Sequence, residues 1–193
     1  MDGMPNGTTQ AQYLYFQNFT KTLKQNQTPG WEIYQTKSAM GLDMYLSKKT
    51  YVQNWSYMAP KERHSVTVKC GGVDVPHIKP ERVSYIEEQI HSWRKSNQIH
   101  RWFVENVQGG EDNCEEYFVS WDNLRDLLHE CRQVIAKPDH SSEILPTAEG
   151  CFFGSTDYDE FYFQDIKETA EMLEKVLAEE PENQCDFYYR SSW

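Results

Sequence analysis

The stretch Ser84–Gln108, SYIEEQIHSWRKSNQIHRWFVENVQ, decides how the rest of the chain is read. At 100° per residue, Ile86, Ile90, Trp93, Asn97, His100, Val104 and Val107 fall along one stripe, which predicts an amphipathic helix. Ser84 followed by Glu87 matches a capping box, in which the serine oxygen accepts the N3 amide and the glutamate reaches back to the cap amide. Gly109 and Gly110 would end the helix, because glycine tolerates the left-handed conformation of a C-terminal stop.

Asn97 and His100 fall in the middle of this apolar stripe. Burying an amide and an imidazole costs free energy unless each is hydrogen-bonded, so backbone, another side chain, water or a ligand must satisfy them. Two readings stay open: a satisfied polar pair that fixes helix on sheet, and a ligand site. Arg94 and Arg101 flank the stripe. With Asn97 and His100 they can present donors to an anion or carboxylate, or they can pair with the many acidic side chains. Ile99, Trp102 and Phe103 make the second half apolar almost all round, which places Trp93 and Trp102 in the core.

On either side the chain reads as short alternating elements. GLDMYLSKK (41–49) and HSVTVK (64–69) have strand character, and Cys70-Gly71-Gly72 is a turn. EYFVS (116–120) reads as a strand whose Ser120 caps a helix with Trp121, Leu124, Leu127, Leu128, Cys131 and Ile135 on one face, closed by Pro138. GCFFGS (150–155) looks like a buried strand between glycines. The following STDYDE supplies caps for a helix that lines up Tyr162, Ile166, Ala170, Leu173 and Leu177, with Val176 at its edge and Pro181 at its end. CDFYYRSSW (185–193) has the aromatic content of a strand. The expected fold is α+β, one sheet of about five strands with three main helices packed on it. Residues 1–39, rich in Asn, Gln and Thr and without periodicity, read as an N-terminal extension to a single domain over 40–193.

The chain has 193 residues, a formal net charge of -11, a pI near 5.0 and a mean hydropathy of -0.80. Such acidity disfavours sequence-independent binding to nucleic acid, whose affinity comes largely from Lys and Arg releasing counterions. It suits a basic partner surface, and it also serves ordinary solubility. The five cysteines are scattered with no C-x-x-C pair, which disfavours zinc ribbons and disulfide frameworks and fits a reducing compartment. Cys131 and Cys151 read as small hydrophobes within apolar runs. No signal-peptide pattern and no membrane-length apolar run is present in the sequence, so the expected location is the cytoplasm.

Walker, nucleophile-elbow, H-E-x-x-H and dinucleotide motifs are missing, and no cofactor or metal is implied. His91 and His100, nine residues apart on the expected helix, make a poor metal pair. A cysteine nucleophile at Cys114 or Cys151 with His100 as base is conceivable. The junction GCFFGSTDYDE places Ser155, Thr156 and Asp157 at a helix start, where amides and hydroxyls can hold an anion. Helix capping uses the same residues, and the carboxylates Asp157 and Asp159 would repel phosphate.

MGLDMYL (40–46), WRKSNQIHRWFVENVQ (93–108), LPTAEGCFFGSTDYDE (145–160) and DFYYRSSW (186–193) together resemble a family of small proteins encoded by bacteriophages and prophages. The resemblance covers roughly residues 40–193, and its members start at the equivalent of Met40. It implies an accessory factor in the host cytoplasm, and it assigns no role to any residue. Two functions are therefore expected in the alternative. One is a stoichiometric binder or inhibitor of a host protein with a basic, nucleic-acid-binding surface. The other is a binder or enzyme for a nucleotide-like ligand at a pocket around His100, drawing on Arg94, Asn97, Arg101, Ser155, Thr156 and Asp157.

Overall fold

The computed structural model describes residues 41–182 and 184–193, so the expectation for residues 1–39 lies outside the described residues. The elements are β1 (Asp43–Tyr51), β2 (Lys69–Cys70), β3 (Val73–Asp74), β4 (Tyr85–Arg94), α1 (Asn97–Asn106), β5 (Tyr117–Val119), α2 (Trp121–Ala136), the one-turn α3 (Ser141–Ile144), α4 (Glu160–Glu179) and β6 (Asp186–Ser192). The fold is α+β. Its main sheet has four antiparallel strands in the order β4-β1-β6-β5, and β2 and β3 form a separate two-stranded hairpin. The sheet is one strand smaller than expected: GCFFGS is not a strand and the HSVTVK region contributes only Lys69–Cys70 to the separate hairpin, whereas Tyr85–Arg94, expected to be helix, joins the sheet.

The deciding stretch divides in two. Tyr85–Arg94 is a strand, and the helix begins only at Asn97. The strand wins because β1 supplies a partner along its whole length, from Asp43 opposite Arg94 to Tyr51 opposite Tyr85. Its register sets Glu88 opposite Lys48 and Glu87, expected as part of a helix capping box, opposite Lys49. Lys48, buried, reaches Glu88 at 2.7 Å and Glu180 at 2.9 Å. Burial alone would pull its ammonium down, but these two carboxylates outweigh it and hold the group above its ordinary value. Ser84 caps nothing here. Its carbonyl accepts the Val52 amide and extends the β1/β4 ladder.

Between strand and helix, Lys95 takes φ 60, a left-handed conformation that a continuous helix cannot contain. Ser96 then sits at the N-cap of α1. At the other end Gly109 and Gly110, both at positive φ, close α1 as expected, with the Gly110 amide donating to the Val104 carbonyl.

One sheet face carries Met44, Leu46, Trp93, Val119, Phe187 and Tyr189 into the core, where the helices cover it. Phe103 of α1 stacks on Tyr189 of β6 at 3.9 Å, Trp121 of α2 meets Phe187 edge-on at 5.2 Å, and Trp93 donates its indole N–H to Thr169 of α4 at 2.8 Å. Trp93 and Trp102 are core residues, as expected. The α2 cap is made by Ser120 accepting the Asn123 amide, and Asp159 caps α4 by accepting the amides of Phe161 and Tyr162. Two expected faces rotate slightly: Val134 is buried where Ile135 was expected, and in α4 Val176 lies deeper than Leu177. Among the described residues no helix is long and apolar enough to cross a membrane.

Candidate functional site

His100 and Asn97 are each 1% exposed, and protein groups satisfy both. The His100 Nε2 meets the Asp112 carboxylate at 2.9 Å, and Nδ1 meets the Tyr189 hydroxyl at 2.8 Å. A carboxylate accepts, so Nε2 carries the proton and Nδ1 accepts from Tyr189. Burial above all, with Asp112 and Cys114 adding to it, holds the Tyr189 phenol well above its ordinary value, consistent with its role as donor. The other Asp112 oxygen accepts the Trp193 indole N–H at 3.0 Å. Both ring nitrogens of His100 are engaged, so neither is left to activate Cys114 or Cys151. His91, expected on the same helix, lies on β4.

Asn97 staples a loop. Its side-chain N–H groups donate to the carbonyls of Phe153 at 3.2 Å and Ser155 at 2.7 Å, and its carbonyl accepts the Ala148 amide at 3.0 Å. The loop it holds contains the segment expected to be a strand. Phe152 at φ 68 and Gly154 at φ 93 turn the backbone instead, and Cys151 is exposed rather than packed. A Cβ at Gly154 would lie 3.1 Å from the Lys95 Cβ, so glycine suits both the dihedral and the close approach.

This stapled loop, the β4–α1 junction and the first turns of α4 enclose a cleft of about 290 Å³. Of the residues singled out in the sequence, Arg94, Ser155 and Asp157 line it. Asn97 anchors it from beneath, and His100 does not border it. Arg101 pairs with Glu105 at 2.7 Å and donates to the Thr147 carbonyl at 3.3 Å, whereas the Thr156 carbonyl accepts from the Thr147 hydroxyl. The sequence reading missed Lys95, Gln98, Thr147 and Asp165 in the lining. Arg94 pairs with Asp43 at 3.2 Å, and the Ser155 hydroxyl donates to Asp157 at 2.9 Å.

Comparison with protein-family models, curated proteins and solved structures finds no match to this chain. The chemistry of the cleft therefore has to be read from its own groups.

Asp165 is the perturbed carboxyl in the cleft. Burial pushes its carboxyl above the ordinary range, hydrogen bonds from Ser96 and Gln98 offset part of that, and Glu168 and Asp159 push it further up. Gln98 is itself buried, with its amide N–H groups directed to Ser96 at 3.1 Å and Asp165 at 3.4 Å. Among the described residues no group of three or more His, Cys, Asp or Glu side chains could hold a metal ion. With two cations and three carboxylates in its lining, the cleft suits a small polar ligand carrying both donors and acceptors better than a bare phosphate.

The sign of the Asp165 shift gives a test. A carboxyl raised in the fold adds stability below its unfolded value, and that contribution is lost as pH rises through the folded value. The ionised side chain therefore costs stability at neutral pH. Asp165→Asn should melt higher than the parent at pH 7, by about 2–4 °C per kcal/mol recovered in a chain of this size. The gap should close as pH falls below about 4, where the parent carboxyl is protonated in both states. A variant that melts lower at pH 7 would identify the carboxylate as a structural acceptor.

Proposed function

We propose that this protein acts as a stoichiometric binder of another protein, one that presents a basic surface of the kind that engages nucleic acid. The observation that carries this reading is the distribution of charge. Residues 85–193 hold 24 Asp and Glu against 9 Lys and Arg, and all of these carboxylates are exposed or half-buried. A surface so dominated by one sign steers oppositely charged partners and repels nucleic acid. The resemblance to phage and prophage proteins supports the accessory, host-directed role.

The test is capture from bacterial lysate at about 50 mM salt, followed by rebinding of the purified partner in a salt series. Affinity should fall as salt rises, and it should fall again in the charge-neutralised variant Glu168→Gln/Glu171→Gln/Glu174→Gln. A reconstituted complex indifferent to salt and to these substitutions would overturn the reading, as would the absence of any partner at low salt.

The cleft supports a second reading, a binder or enzyme for a nucleotide-like ligand. What favours it is the combination of a buried Gln98, a perturbed Asp165 and a largely exposed Phe161 beside the two cations. Moving the ligand from His100 to this cleft keeps Arg94, Ser155 and Asp157 in contact with it. A thermal-shift screen of nucleosides and nucleotides would support this reading if a hit were lost in Arg94→Ala. A screen without hits would leave the protein-binding reading alone.

A further inference from the structure

The floor of the cleft is short of hydrogen-bond donors. Gln98, 3% exposed, lines it from the first turn of α1, and Asp165 lines it from the second turn of α4. The Gln98 Nε2 donates to Asp165 Oδ2 at 3.4 Å and to the Ser96 hydroxyl oxygen at 3.1 Å, and Ser96 in turn hydrogen-bonds Asp165. An amide oxygen cannot face a carboxylate, so these contacts fix which end of the Gln98 amide is which. Its carbonyl oxygen then takes no hydrogen bond among the described residues, although the side chain is withdrawn from water. Asp165 is in the same position. An ionised carboxylate offers about four lone-pair sites, and Ser96 and Gln98 fill two of them, Gln98 at a length beyond the usual range.

The rim has the opposite character. Lys95 lines the cleft and, unlike Arg94 with its Asp43 partner, is in no ion pair among the described residues. Its left-handed backbone is held on both sides, the amide donating to the Leu42 carbonyl at 2.8 Å and the carbonyl accepting the Asn97 amide at 3.0 Å. Residues held in this conformation cluster at ligand clamps. Phe161, 77% exposed, adds an aromatic face. The other two carboxylates already have donors: Asp157 accepts the Ser155 hydroxyl at 2.9 Å, and Asp159 caps α4.

An occupant of this floor needs neighbouring N–H donors for Asp165 and the Gln98 carbonyl. A guanidinium has them, but its charge would meet Arg94 and Lys95 in the same lining. Guanine has them without charge, in its N1–H and 2-amino group, and its O6 and N7 are acceptors for Lys95. Adenine sets a ring-nitrogen acceptor where the N1–H would be, and neither cytosine nor uracil carries two adjacent donors. A cleft of about 290 Å³ holds one base with its sugar directed outward. We propose that the cleft binds guanine, as a nucleoside or nucleotide, with Asp165 and Gln98 reading the donor edge of the base and Lys95 its acceptors. Guanine selection rests on the reading of the cleft as a nucleotide site and narrows that reading to one base.

Isothermal titration calorimetry of the full chain with guanosine, GMP, inosine, adenosine, xanthosine and free arginine tests it. Guanosine or GMP should bind. Inosine, which lacks the 2-amino group, should bind at least about tenfold more weakly than guanosine, and adenosine weaker still. Asp165→Asn, expected above to melt higher than the parent, should lose at least about tenfold in guanosine affinity and gain affinity for xanthosine, whose 2-carbonyl accepts the N–H that asparagine offers. Equal affinity for all the nucleosides, lost in Arg94→Ala, would overturn guanine selection and leave the nucleotide reading standing. Guanosine affinity unchanged in Asp165→Asn would overturn the assignment of Asp165. Tighter binding of arginine than of guanosine would overturn the proposal in favour of a guanidinium ligand. Failure of both guanosine and GMP to bind would overturn it outright, and the broader reading would then survive only on a thermal-shift hit with another nucleotide.

Discussion

His100→Ala is expected to unfold about 2–4 kcal/mol more readily than the parent, a drop of about 4–16 °C in melting point. The loss has two parts. The Tyr189 hydroxyl, fully buried, is left with no acceptor from the ring, and Asp112 loses the donor that ties it to the core. The edge-on contact of the ring with Phe153 at 5.1 Å goes as well, and a void remains beside the stacked Phe103 and Tyr189. Tyr189→Phe made alone should also destabilise, since it orphans Nδ1. The double variant should cost less than the sum, because the pair is one interaction. Urea unfolding of the three variants measures this. Single effects within about 0.5 kcal/mol of zero would show that water already replaces these partners.

His100 and Asn97 are buried as the sequence reading expected, but the stripe drawn through them is broken: Ile86 and Ile90 lie on β4, Val104 and Val107 are half-buried, and Ile99, Trp102 and Phe103 are the apolar residues that α1 buries. The partners of His100 were not legible. Asp112 and Tyr189 come from a loop and the last strand, and nothing local points to either. The same limit explains the misread first part of Ser84–Gln108, where Tyr85–Arg94, expected to be helix, forms a strand. The choice was made by β1, whose Lys48 and Lys49 sit opposite Glu88 and Glu87 only in the observed register. Elements with strong local signals came through: GLDMYLSKK as β1, the Ser120 cap, the Asp159 start of α4 and the aromatic β6. The turn at GCFFGS was hidden because its positive dihedral falls on Phe152, a residue that gives no sign of it.

Legibility of the cleft follows the same division. Arg94, Ser155 and Asp157 were found as donors and hydroxyls flanking a junction. Gln98 and Asp165 were missed because their role depends on how α4 approaches α1. Lys95 was missed because a non-glycine residue at positive φ leaves no mark in sequence.

Asn97→Asp should be more damaging than Asn97→Ala, at about 3–5 kcal/mol, because it replaces donors with a charge rather than merely removing them. The parent amide gives two N–H groups to the Phe153 and Ser155 carbonyls and takes one from Ala148. Alanine leaves three backbone groups without partners, although water can reach them once the loop loosens. Aspartate keeps the Ala148 bond but sets a carboxylate against two carbonyl oxygens at a site 1% exposed, where protonation or loop detachment is the only relief. Detachment would release the positive-φ backbone at Phe152 and Gly154 and open the cleft wall formed by Gly154 and Ser155. Amide exchange should therefore accelerate first at Ala148 and Phe153 in Asn97→Asp, before the amides of α2 respond. Asp165→Asn in that background should lose most of its stabilising effect, since an opened cleft rehydrates the carboxylate that burial had penalised. An Asn97→Asp chain with parental melting point and parental exchange at Ala148 and Phe153 would show that the loop holds its shape without the staple.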